Sequence, residues 1–322
     1  MTEFEIIKKY FDTQALKRPD VIISIGDDAA IVSPPKDRQL VITTDTLIVG
    51  RHFPEDTTPF DIGHKSLAVN LSDLAAMGAQ PHWVTMALTL PNADEAWIKS
   101  FCDGFFELAN RYHVQLIGGD LTQGPLSITI QAMGSVLSQQ YLLRKNAKPG
   151  DFIYVTGTLG DAGLALKTLQ NKMTLNDQDK QSIFLKLNRP EPRIIVGEKI
   201  NGLAHAAIDI SDGFAADLGH ILEASKVGAE INIDQLPLSN ALLHSVSHEE
   251  TIALALTSGD DYELCFTVPE SNRIKLEKIF SSLNCTCTCV GKITADKNLL
   301  LHDNNGKKYH GPCAGYEHFQ SN

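Results

Sequence analysis

The chain has 322 residues, with 43% hydrophobic and 21% charged residues, which suits a globular protein of two domains and excludes a disordered one. Its formal net charge of −11 excludes general binding to nucleic acid or anionic membranes, which needs basic surface, and is compatible with a bound divalent cation. No run approaches the ~20 apolar residues of a membrane helix and no secretory signal is visible, so we expect no membrane partner and a cytoplasmic location.

The first half of the chain is predicted to alternate strands and helices, which favours an α/β fold with α+β character. The predicted elements are a helix over Glu3–Tyr10, strands over Val21–Ile25, Ala29–Val32 and Gln39–Thr44, a helix that starts at Leu67 and is ended by Gly78 and Pro81, a strand over His82–Leu90, a helix over Asp94–Tyr112, and strands over Gln115–Gly118 and Ser127–Val136.

A polar, turn-rich segment, Arg144–Asp151, predicts a boundary between two domains, residues 1–146 and 147–322. Beyond it the predicted elements are strands over Phe152–Thr156, Ala207–Ile210, Leu264–Val268 and Thr288–Ile293, and helices over Leu164–Leu169, Ile194–Leu203, Phe214–Ser225 and Ser271–Leu283.

Glycines recur every third residue, at Gly157, Gly160 and Gly163, just before one of these helices. This turn could hold an anion at the helix N-terminus, or it could need glycines only because it is tight. We favour the tight turn. The spacing of the glycines is not that of a dinucleotide-binding site. The cysteines are expected to be free thiols. Cys285, Cys287 and Cys289 would share one face of a strand, but the spacing of structural zinc sites is missing.

Asp73 is a single carboxylate in a helix that is otherwise almost entirely apolar. An ionised carboxylate in such surroundings is costly unless it is hydrogen-bonded, paired or metal-bound, so a structural hydrogen bond and a cation are both open readings for Asp73 alone. Four further segments place aspartate directly after an apolar run, and these residues are Asp28, Asp45, Asp120 and the pair Asp209 and Asp212.

Carboxylates in this number, with Thr43, Thr44 and Ser211 beside them and no His or Cys at ligand spacing, predict Mg²⁺ and not zinc. Several magnesium ions imply a phosphate substrate, because they neutralise phosphate charge beside an acidic protein. The motifs of P-loop enzymes and of protein kinases are absent from the sequence. Spacing alone therefore predicts a magnesium-dependent, phosphate-handling enzyme without naming its substrate.

Six motifs taken together are more specific than any one of them. They are Gly26-Asp27-Asp28-Ala29-Ala30, Thr43-Thr44-Asp45-Thr46-Leu47, the run from Lys65 to Ala79 that contains Asn70-Leu71-Ser72-Asp73-Leu74-Ala75-Ala76-Met77-Gly78, Gly118-Gly119-Asp120, Asp209-Ile210-Ser211-Asp212-Gly213 and Asp261-Tyr262-Glu263-Leu264. In this order they closely resemble the thiamine-monophosphate kinase family, and the resemblance runs from about Phe4 to Phe319.

The resemblance implies direct, ATP-dependent phosphorylation of thiamine monophosphate to thiamine diphosphate. It also implies a two-domain fold like that of aminoimidazole-ribonucleotide synthetase, in which the N-terminal sheets of two subunits form a barrel in a homodimer and the C-terminal α/β domain completes the active site.

By position, the resemblance assigns three sets of residues. The magnesium ligands would be Asp28, Thr43, Thr44, Asp45, Asp73, Asp120, Asp209 and Asp212; the ATP contacts would be Gly119, Arg144 and Ser211; and the thiamine monophosphate contacts would be His52, Asp260 and Tyr316. Asp260 stands where the family pattern has Glu, which shortens the side chain by one methylene. No general base stands out among these residues.

Other interpretations remain open from the residues alone. Arg144 also fits an exposed linker, Tyr316 a C-terminal anchor, and His52 a loop residue packed by Phe53. The competing functions are another ATP-dependent enzyme of the same superfamily and a non-catalytic regulator that binds magnesium and nucleotide. Formation of ADP that depends on thiamine monophosphate would exclude the regulator.

Overall fold

The computed structural model describes residues 1–13, 15–170 and 173–316. Phe319, where the family resemblance ends, and the other residues of 317–322 in the predicted second domain lie outside the described residues. The chain divides into two compact units. The first contains Met1–Leu74 and Ala79–Gln140, and the second contains Ala75–Gly78 and the chain from Tyr141 onwards.

The first unit is a four-stranded sheet with two long helices and a small hairpin. Its elements are α1 (Glu3–Ile6), which continues as a π-helix (Ile7–Phe11), β1 (Val21–Ile23), β2 (Ile31–Val32), β3 (Arg38–Ile48), α2 (Pro59–Ala76), β4 (Gln80–Leu90), α3 (Glu95–Arg111), β5 (Gln115–Gln123) and β6 (Ser127–Leu137). The strand order is β3-β6-β4-β5, with only β4 and β5 parallel, and β1 pairs separately with β2.

Helix α2 begins at Pro59, eight residues before the predicted start at Leu67, so the predicted start is wrong. Polar residues in the first half of the helix interrupt its apolar pattern. One of these polar residues, Lys65, is nevertheless buried, since it is only 3% exposed. Helices α2 and α3 approach closely, because a Cβ on Gly63 would lie 2.1 Å from the Phe101 carbonyl oxygen. The helix ends at Ala76, and Gly78 follows in the predicted left-handed turn with a φ of +67°.

Strands β3 and β5 both continue past the aspartates where we predicted them to end. Asp45 lies inside β3, which runs to Ile48, and Asp120 lies inside β5, which runs to Gln123. The predicted ends were wrong because polar residues were taken as stops, whereas strand pairing uses the backbone and not the side chains. Asp120 lies on an exposed face of the sheet, and Asp45 is half-buried.

The second unit is a six-stranded sheet flanked by helices. Its elements are β7 (Phe152–Thr156), α4 (Asp161–Leu169), α5 (Asp177–Asn188), α6 (Ile194–Ile200), β8 (Ala206–Ile210), α7 (Phe214–Ser225), β9 (Gly228–Asn232), α8 (Asn240–Ser245), α9 (His248–Thr257), β10 (Glu263–Val268), α10 (Arg273–Phe280), β11 (Cys287–Thr294) and β12 (Leu299–His302). The strand order is β12-β9-β11-β7-β10-β8, and only β12 and β9 are parallel.

The mainly antiparallel sheets confirm the α+β character expected from the sequence. The predicted helices at Ile194 and Ser271 are shorter in the structure, and α5, α8, α9, β9 and β12 were not predicted. In α5 the apolar signal is weak, since among its residues only Ile183 and Leu187 are buried. Helix α7 packs on this sheet through Phe214, Leu218 and Ile221, which belong to the main core of the unit.

Every cysteine is a free thiol in the structure, and Cys287 and Cys289 lie on β11 opposite Thr156 and Tyr154. Burial raises the pKa of each of these two thiols, which disfavours the thiolate that a soft metal would bind. Within the described parts of the chain, no helix is long and apolar enough to cross a membrane.

A buried polar network around His82 ties the segment before β1 to the first sheet. The Arg18 guanidinium donates to Asp20 at 2.7 Å and to His82 Nδ1 at 2.9 Å, and His82 Nε2 lies 2.7 Å from Ser135 Oγ. Because arginine only donates, Nδ1 must accept and the proton of the neutral ring must sit on Nε2. Burial and the nearby Arg18 charge lower the pKa of His82 to about 4.

We predict that the first unit loses stability as the pH falls below about 6.5, the ordinary His value, and that the loss grows until the pH reaches about 4. The unfolded chain takes up a proton in this range that the folded His82 refuses, which costs up to about 3 kcal/mol. Urea unfolding at pH 7, 6 and 5 measures it, since the two tryptophans of the chain, Trp83 and Trp97, both lie in this unit.

His82→Gln should flatten this pH dependence, whereas His113→Asn should not, because His113 is exposed and its φ of +55° suits asparagine. An unchanged pH dependence in His82→Gln would assign the acid sensitivity to other groups.

Candidate functional site

In the first unit, β3 and α2 bring three of the predicted magnesium ligands together. Thr43 Oγ1 donates a hydrogen bond to Asp73 Oδ2. The backbone N–H of Asp45 donates to Asn70 Oδ1 at 3.1 Å, and Asn70 is fully buried. Side chains two residues apart in a strand share a face, so Thr43 and Asp45 both face helix α2. Asp73 therefore has a structural partner, Thr43, besides any cation.

Thr44 lies on the opposite face of β3 from these residues. Its hydroxyl is 3.5 Å from Gln131 Nε2, and the alternation that turns Thr43 and Asp45 inwards turns Thr44 outwards. The cross-strand register places Thr46, Thr129, Ala87 and Asp120 side by side, so Asp120 shares this outer face. The structure thus separates the side chains of Thr44 and Asp120 from the group formed by Thr43, Asp45 and Asp73.

Asp28 and Asp120 instead meet at a cavity of about 460 Å³ in the first unit. Both carboxylates are exposed, and Asp27 lines the cavity beside them. The remaining lining is mainly apolar and comes from the N-terminal helix and from the sheet. It consists of Phe4, Ile7, Phe11, Ile25, Met86, Leu88, Leu116 and Leu121, with Glu3, Gly26, Gly118 and Gly119. The cavity combines an apolar pocket with an acidic rim.

Asp27, Phe4, Ile7 and Phe11 were not predicted as site residues. The sequence analysis predicted the N-terminal helix without giving it a role in a site, and it named Asp27 only as part of the motif Gly26-Asp27-Asp28-Ala29-Ala30. Phe4 is 78% exposed, which is unusual for a large apolar side chain and is a signal that the structure reveals but the sequence does not.

Gly119 lines the same cavity, but packing alone already requires a glycine there. A Cβ on Gly119 would lie 1.9 Å from the Met86 carbonyl oxygen of the neighbouring strand.

His52 lies in the loop after β3, where its Nδ1 accepts from the Ile48 N–H at 3.0 Å and its carbonyl oxygen accepts from Lys65 Nζ at 3.3 Å. Phe53 beside it is buried.

In the second unit, five of the predicted site residues lie in β8, in the loop that follows it or in segments hydrogen-bonded to that loop. Asp209 lies in β8 and is 5% exposed, and Ser211 and Asp212 follow directly as a half-buried loop. The Asp260 N–H donates to the Ser211 carbonyl oxygen at 2.9 Å, and the Tyr316 N–H donates to that of Asp212 at 3.0 Å. Backbone hydrogen bonds thus join Ser211, a predicted ATP contact, and Asp212, a predicted metal ligand, to two predicted contacts of thiamine monophosphate.

Asp260 sits in a strained turn. Its φ is +66° and that of Tyr262 is +48°, values that are uncommon outside glycine, and the Tyr262 hydroxyl donates to Asp260 Oδ1 at 3.0 Å. Residues held in such conformations cluster at functional sites. The shorter Asp260, in place of the Glu of the family pattern, is held here by a local hydrogen bond. Tyr316 is 42% exposed.

Arg144 is exposed in the structure, and its carbonyl oxygen accepts from Ser225 Oγ at 3.1 Å.

Asp217, which was not predicted as a site residue, accepts hydrogen bonds from the backbone N–H groups of Ser211, Asp212 and Gly213. Burial, opposed by these bonds, raises the pKa of Asp217 to about 6.

The glycine-rich turn before α4 is closed to anions by a carboxylate of the protein itself. The Gly160 N–H donates to both oxygens of Asp261, at 3.1 and 2.9 Å. Packing requires the glycines, because a Cβ on Gly157 would lie 1.9 Å from Glu263 Oε1 and one on Gly163 would lie 2.0 Å from Ser258 Oγ. Of the two interpretations given above, the structure supports the tight turn.

Among the described residues, no three His, Cys, Asp or Glu side chains form a cluster that could hold a metal ion. The pairs and small groups present still fit magnesium, because Mg²⁺ in nucleotide sites is held by one or two carboxylates and completes its octahedron with phosphate oxygens and water. A cage made by the protein alone is therefore not required.

Known protein families and a known protein match most of this chain. Family models of the AIR synthase related proteins match residues 26–136 with their N-terminal domain and residues 148–304 with their C-terminal domain. A thiamine-monophosphate kinase from Escherichia coli (strain K12) is 49% identical over 318 residues, which cover 98% of this chain and 98% of that protein.

Two solved structures extend the comparison. A thiamine-monophosphate kinase from Stenotrophomonas maltophilia K279a has a TM-score of 0.88 and 46% identity, and the match covers 96% of this chain and 98% of that one. A structure of AaThiL complexed with AMPPCP and TMP has a TM-score of 0.77 and 30% identity over 92% of each chain. These matches confirm the two-domain fold and the resemblance inferred from the motifs: the chain belongs to the thiamine-monophosphate kinase family, within the AIR synthase related proteins.

Proposed function

We propose that this protein is a kinase that transfers the γ-phosphoryl group of ATP to thiamine monophosphate and so forms thiamine diphosphate. The observation that carries this proposal is the 49% identity to a thiamine-monophosphate kinase over 98% of both chains. The similar fold of a protein complexed with AMPPCP, an ATP analogue, and TMP supports both substrates. The acidic and apolar groups described above are the features that such substrates need.

The cavity of the first unit suits a nucleotide, which has an apolar base and a charged triphosphate. Phe4, Ile7 and Phe11 line its apolar part and can pack against a base, while Asp28 and Asp120 lie at its acidic rim. A triphosphate beside these carboxylates is repelled unless a cation lies between them. Gly119 in the cavity, and Arg144 and Ser211 in the second unit, are the proposed ATP contacts.

We assign magnesium to the oxygen ligands of each unit. In the first unit they are Asp28, Thr43, Thr44, Asp45, Asp73 and Asp120, and in the second unit they are Asp209 and Asp212. Thr44 would contribute through its backbone carbonyl, since its side chain faces away from Thr43 and Asp45. Bound magnesium supplies charge that offsets the phosphate charge and fixes its orientation. His52, Asp260 and Tyr316 are the proposed contacts of thiamine monophosphate, and Tyr316 offers an aromatic face to its cationic ring.

The proposed reaction needs no general base. The nucleophile is a phosphate oxygen, which is already ionised near neutral pH, so no proton has to be removed from it. The protein then contributes orientation and charge stabilisation. We assign nucleotide binding and dimerisation to residues 1–146 and the second domain to residues 147–322.

We predict that thiamine monophosphate is the acceptor and that unphosphorylated thiamine is turned over at least ~100-fold less efficiently, because a site built around a polar group rejects an analogue that lacks it. An acidic protein can hold the phosphate of the acceptor through a metal ion but has no such hold on an alcohol. A coupled assay of ADP formation with each acceptor measures the ratio. Comparable kcat/KM values for the two acceptors would contradict the proposal.

We predict that Asp73→Asn keeps the fold but responds less to magnesium. The amide oxygen of asparagine can still accept the hydrogen bond from Thr43, whereas the ionic metal ligand is lost. Melting temperatures with and without Mg²⁺ and the ATP analogue AMPPCP measure the effect, since a ligand at ~100 times its Kd stabilises by about 2.7 kcal/mol. Turnover should fall sharply in parallel.

Glu107→Gln is the matched control for this experiment, because Glu107 pairs with Arg111 at the exposed surface of α3. It should keep the full magnesium-induced rise in melting temperature. If Asp73→Asn also keeps that rise together with wild-type turnover, Asp73 is only a partner of Thr43.

We further propose that the protein is a homodimer joined through the first sheet. Strand β3 lies at the edge of the described sheet, and its outward face carries Leu40 (46% exposed), Ile42 (56% exposed) and Ile48 (44% exposed). A long edge strand with apolar exposed side chains invites pairing with another chain. A second copy of the same surface satisfies this in a closed dimer.

We predict that the wild-type protein sediments at twice the 35.2 kDa of one chain and that Ile42→Glu shifts it towards the monomer, because a charge placed in an apolar interface loses its hydration. Ile274→Glu is the control, since Ile274 is 68% exposed in the second unit. A wild-type protein that sediments only as a monomer at micromolar concentration would refute the dimer.

A further inference from the structure

Three consecutive backbone N–H groups, those of Ser211, Asp212 and Gly213, converge on a single oxygen of the Asp217 carboxylate. The N···O distances to Oδ2 are 3.0, 3.0 and 3.1 Å, and Asp217 is 2% exposed. Successive N–H groups that point at one spot form a concavity for an anion. Here a side chain from the first turn of α7 fills that concavity, where the helix N-terminus also favours negative charge.

The carbonyl groups of the same loop also have partners. Each accepts one backbone N–H, at 2.8 to 3.0 Å: Ile210 from Tyr262, Ser211 from Asp260, Asp212 from Tyr316 and Gly213 from Asp217. Gly213 has a φ of +120°, and a Cβ there would lie 2.8 Å from the Thr257 carbonyl carbon, so the loop has little freedom to shift. Its backbone is thus held through both its N–H and its carbonyl groups.

We infer that Asp217 is a positioning residue, which acts through the loop Ser211–Gly213 to aim the side chains of Ser211 and Asp212 at the nucleotide and its metal ion. This inference rests on the proposed function, which assigns those two residues as ligands. Without the carboxylate, the three N–H groups lose their common acceptor, and the loop is held only through its carbonyl groups. Asp217 itself touches neither substrate.

The test compares Asp217→Ala with Asp217→Asn. Asparagine retains one oxygen that can accept the three N–H groups, whereas alanine removes the acceptor. Loss of a group that orients metal ligands typically costs ~10 to 100-fold, so we expect Asp217→Ala to lower kcat and to raise the Mg²⁺ concentration needed for half-maximal activity by at least ~10-fold. Asp217→Asn should recover most of both values.

Two controls on α7 separate positioning from loss of stability. Leu218→Ala removes a fully buried side chain next to Asp217 and should lower the melting temperature without changing the magnesium dependence. Glu223→Ala removes an exposed carboxylate of the same helix and should change neither. If Leu218→Ala shifts the magnesium dependence as much as Asp217→Ala does, or if Asp217→Ala behaves as wild type, the inference is overturned.

Hydrogen exchange of the loop amides decides the inference without any substrate. The amides of Ser211–Gly213 should exchange slowly in the wild type and in Asp217→Asn, and at least ~10-fold faster in Asp217→Ala, while those of β8 stay protected. A wild-type protein without kinase activity would overturn the proposed function alone, and faster exchange in Asp217→Ala would still support the positioning role. Equal exchange in all three proteins would refute it.

Discussion

A carboxylate removed from water must be hydrogen-bonded or paired, and this requirement divides the acidic residues of this protein into two sets. In the first set the protein supplies the partners. Asp217 accepts three backbone N–H groups, Asp261 accepts the Gly160 N–H, and Glu263 accepts from Arg193 Nε and from Thr156 Oγ1, each at 2.6 Å. These carboxylates fix loops and strand ends.

In the second set the carboxylates remain at the surface of a protein whose net charge is −11. Asp28 and Asp120 line one cavity and are exposed, so water and not the protein solvates them. Exposed carboxylates of this kind can bind a cation such as Mg²⁺. The two sets contain the same kind of side chain but differ in whether the protein supplies its hydrogen-bond partners. Only the structure distinguishes the two sets.

The sequence predicted those parts of the fold whose signal is local. Helix α3 was predicted to within one residue at each end because its apolar stripe and its Asp94 cap lie next to each other in the chain. The start of α2 and the ends of β3 and β5 were predicted wrongly, because polar side chains there meet partners that are distant in sequence or lie on an exposed sheet face.

The candidate site likewise has features that the sequence predicts and features that it does not. Its motifs named most of its residues through the family resemblance, and strand alternation already places Thr44 on the other face from Thr43 and Asp45. The sequence could not tell which of the two faces meets helix α2, because the contacts of Thr43 with Asp73 and of Asp45 with Asn70 join residues distant in the chain. Asp217 escaped notice because nothing in the pattern of a helix marks an aspartate that reaches back to three N–H groups. Such roles depend on backbone direction, which a residue pattern does not record.

Backbone N–H groups that could bind a phosphate are thus occupied by the protein itself at two places in the second unit. Asp261 closes the turn at Gly160, and Asp217 closes the loop at Ser211. Enzymes that bind phosphate directly on backbone N–H groups leave such places open. If this protein binds ATP as proposed, these N–H groups are not available to the phosphates, so the phosphate charge must be met by side chains and by magnesium. The internal carboxylates then explain why a kinase with no P-loop motif carries so many aspartates: some replace phosphate on the backbone, and the others bring the metal ions that bind phosphate instead.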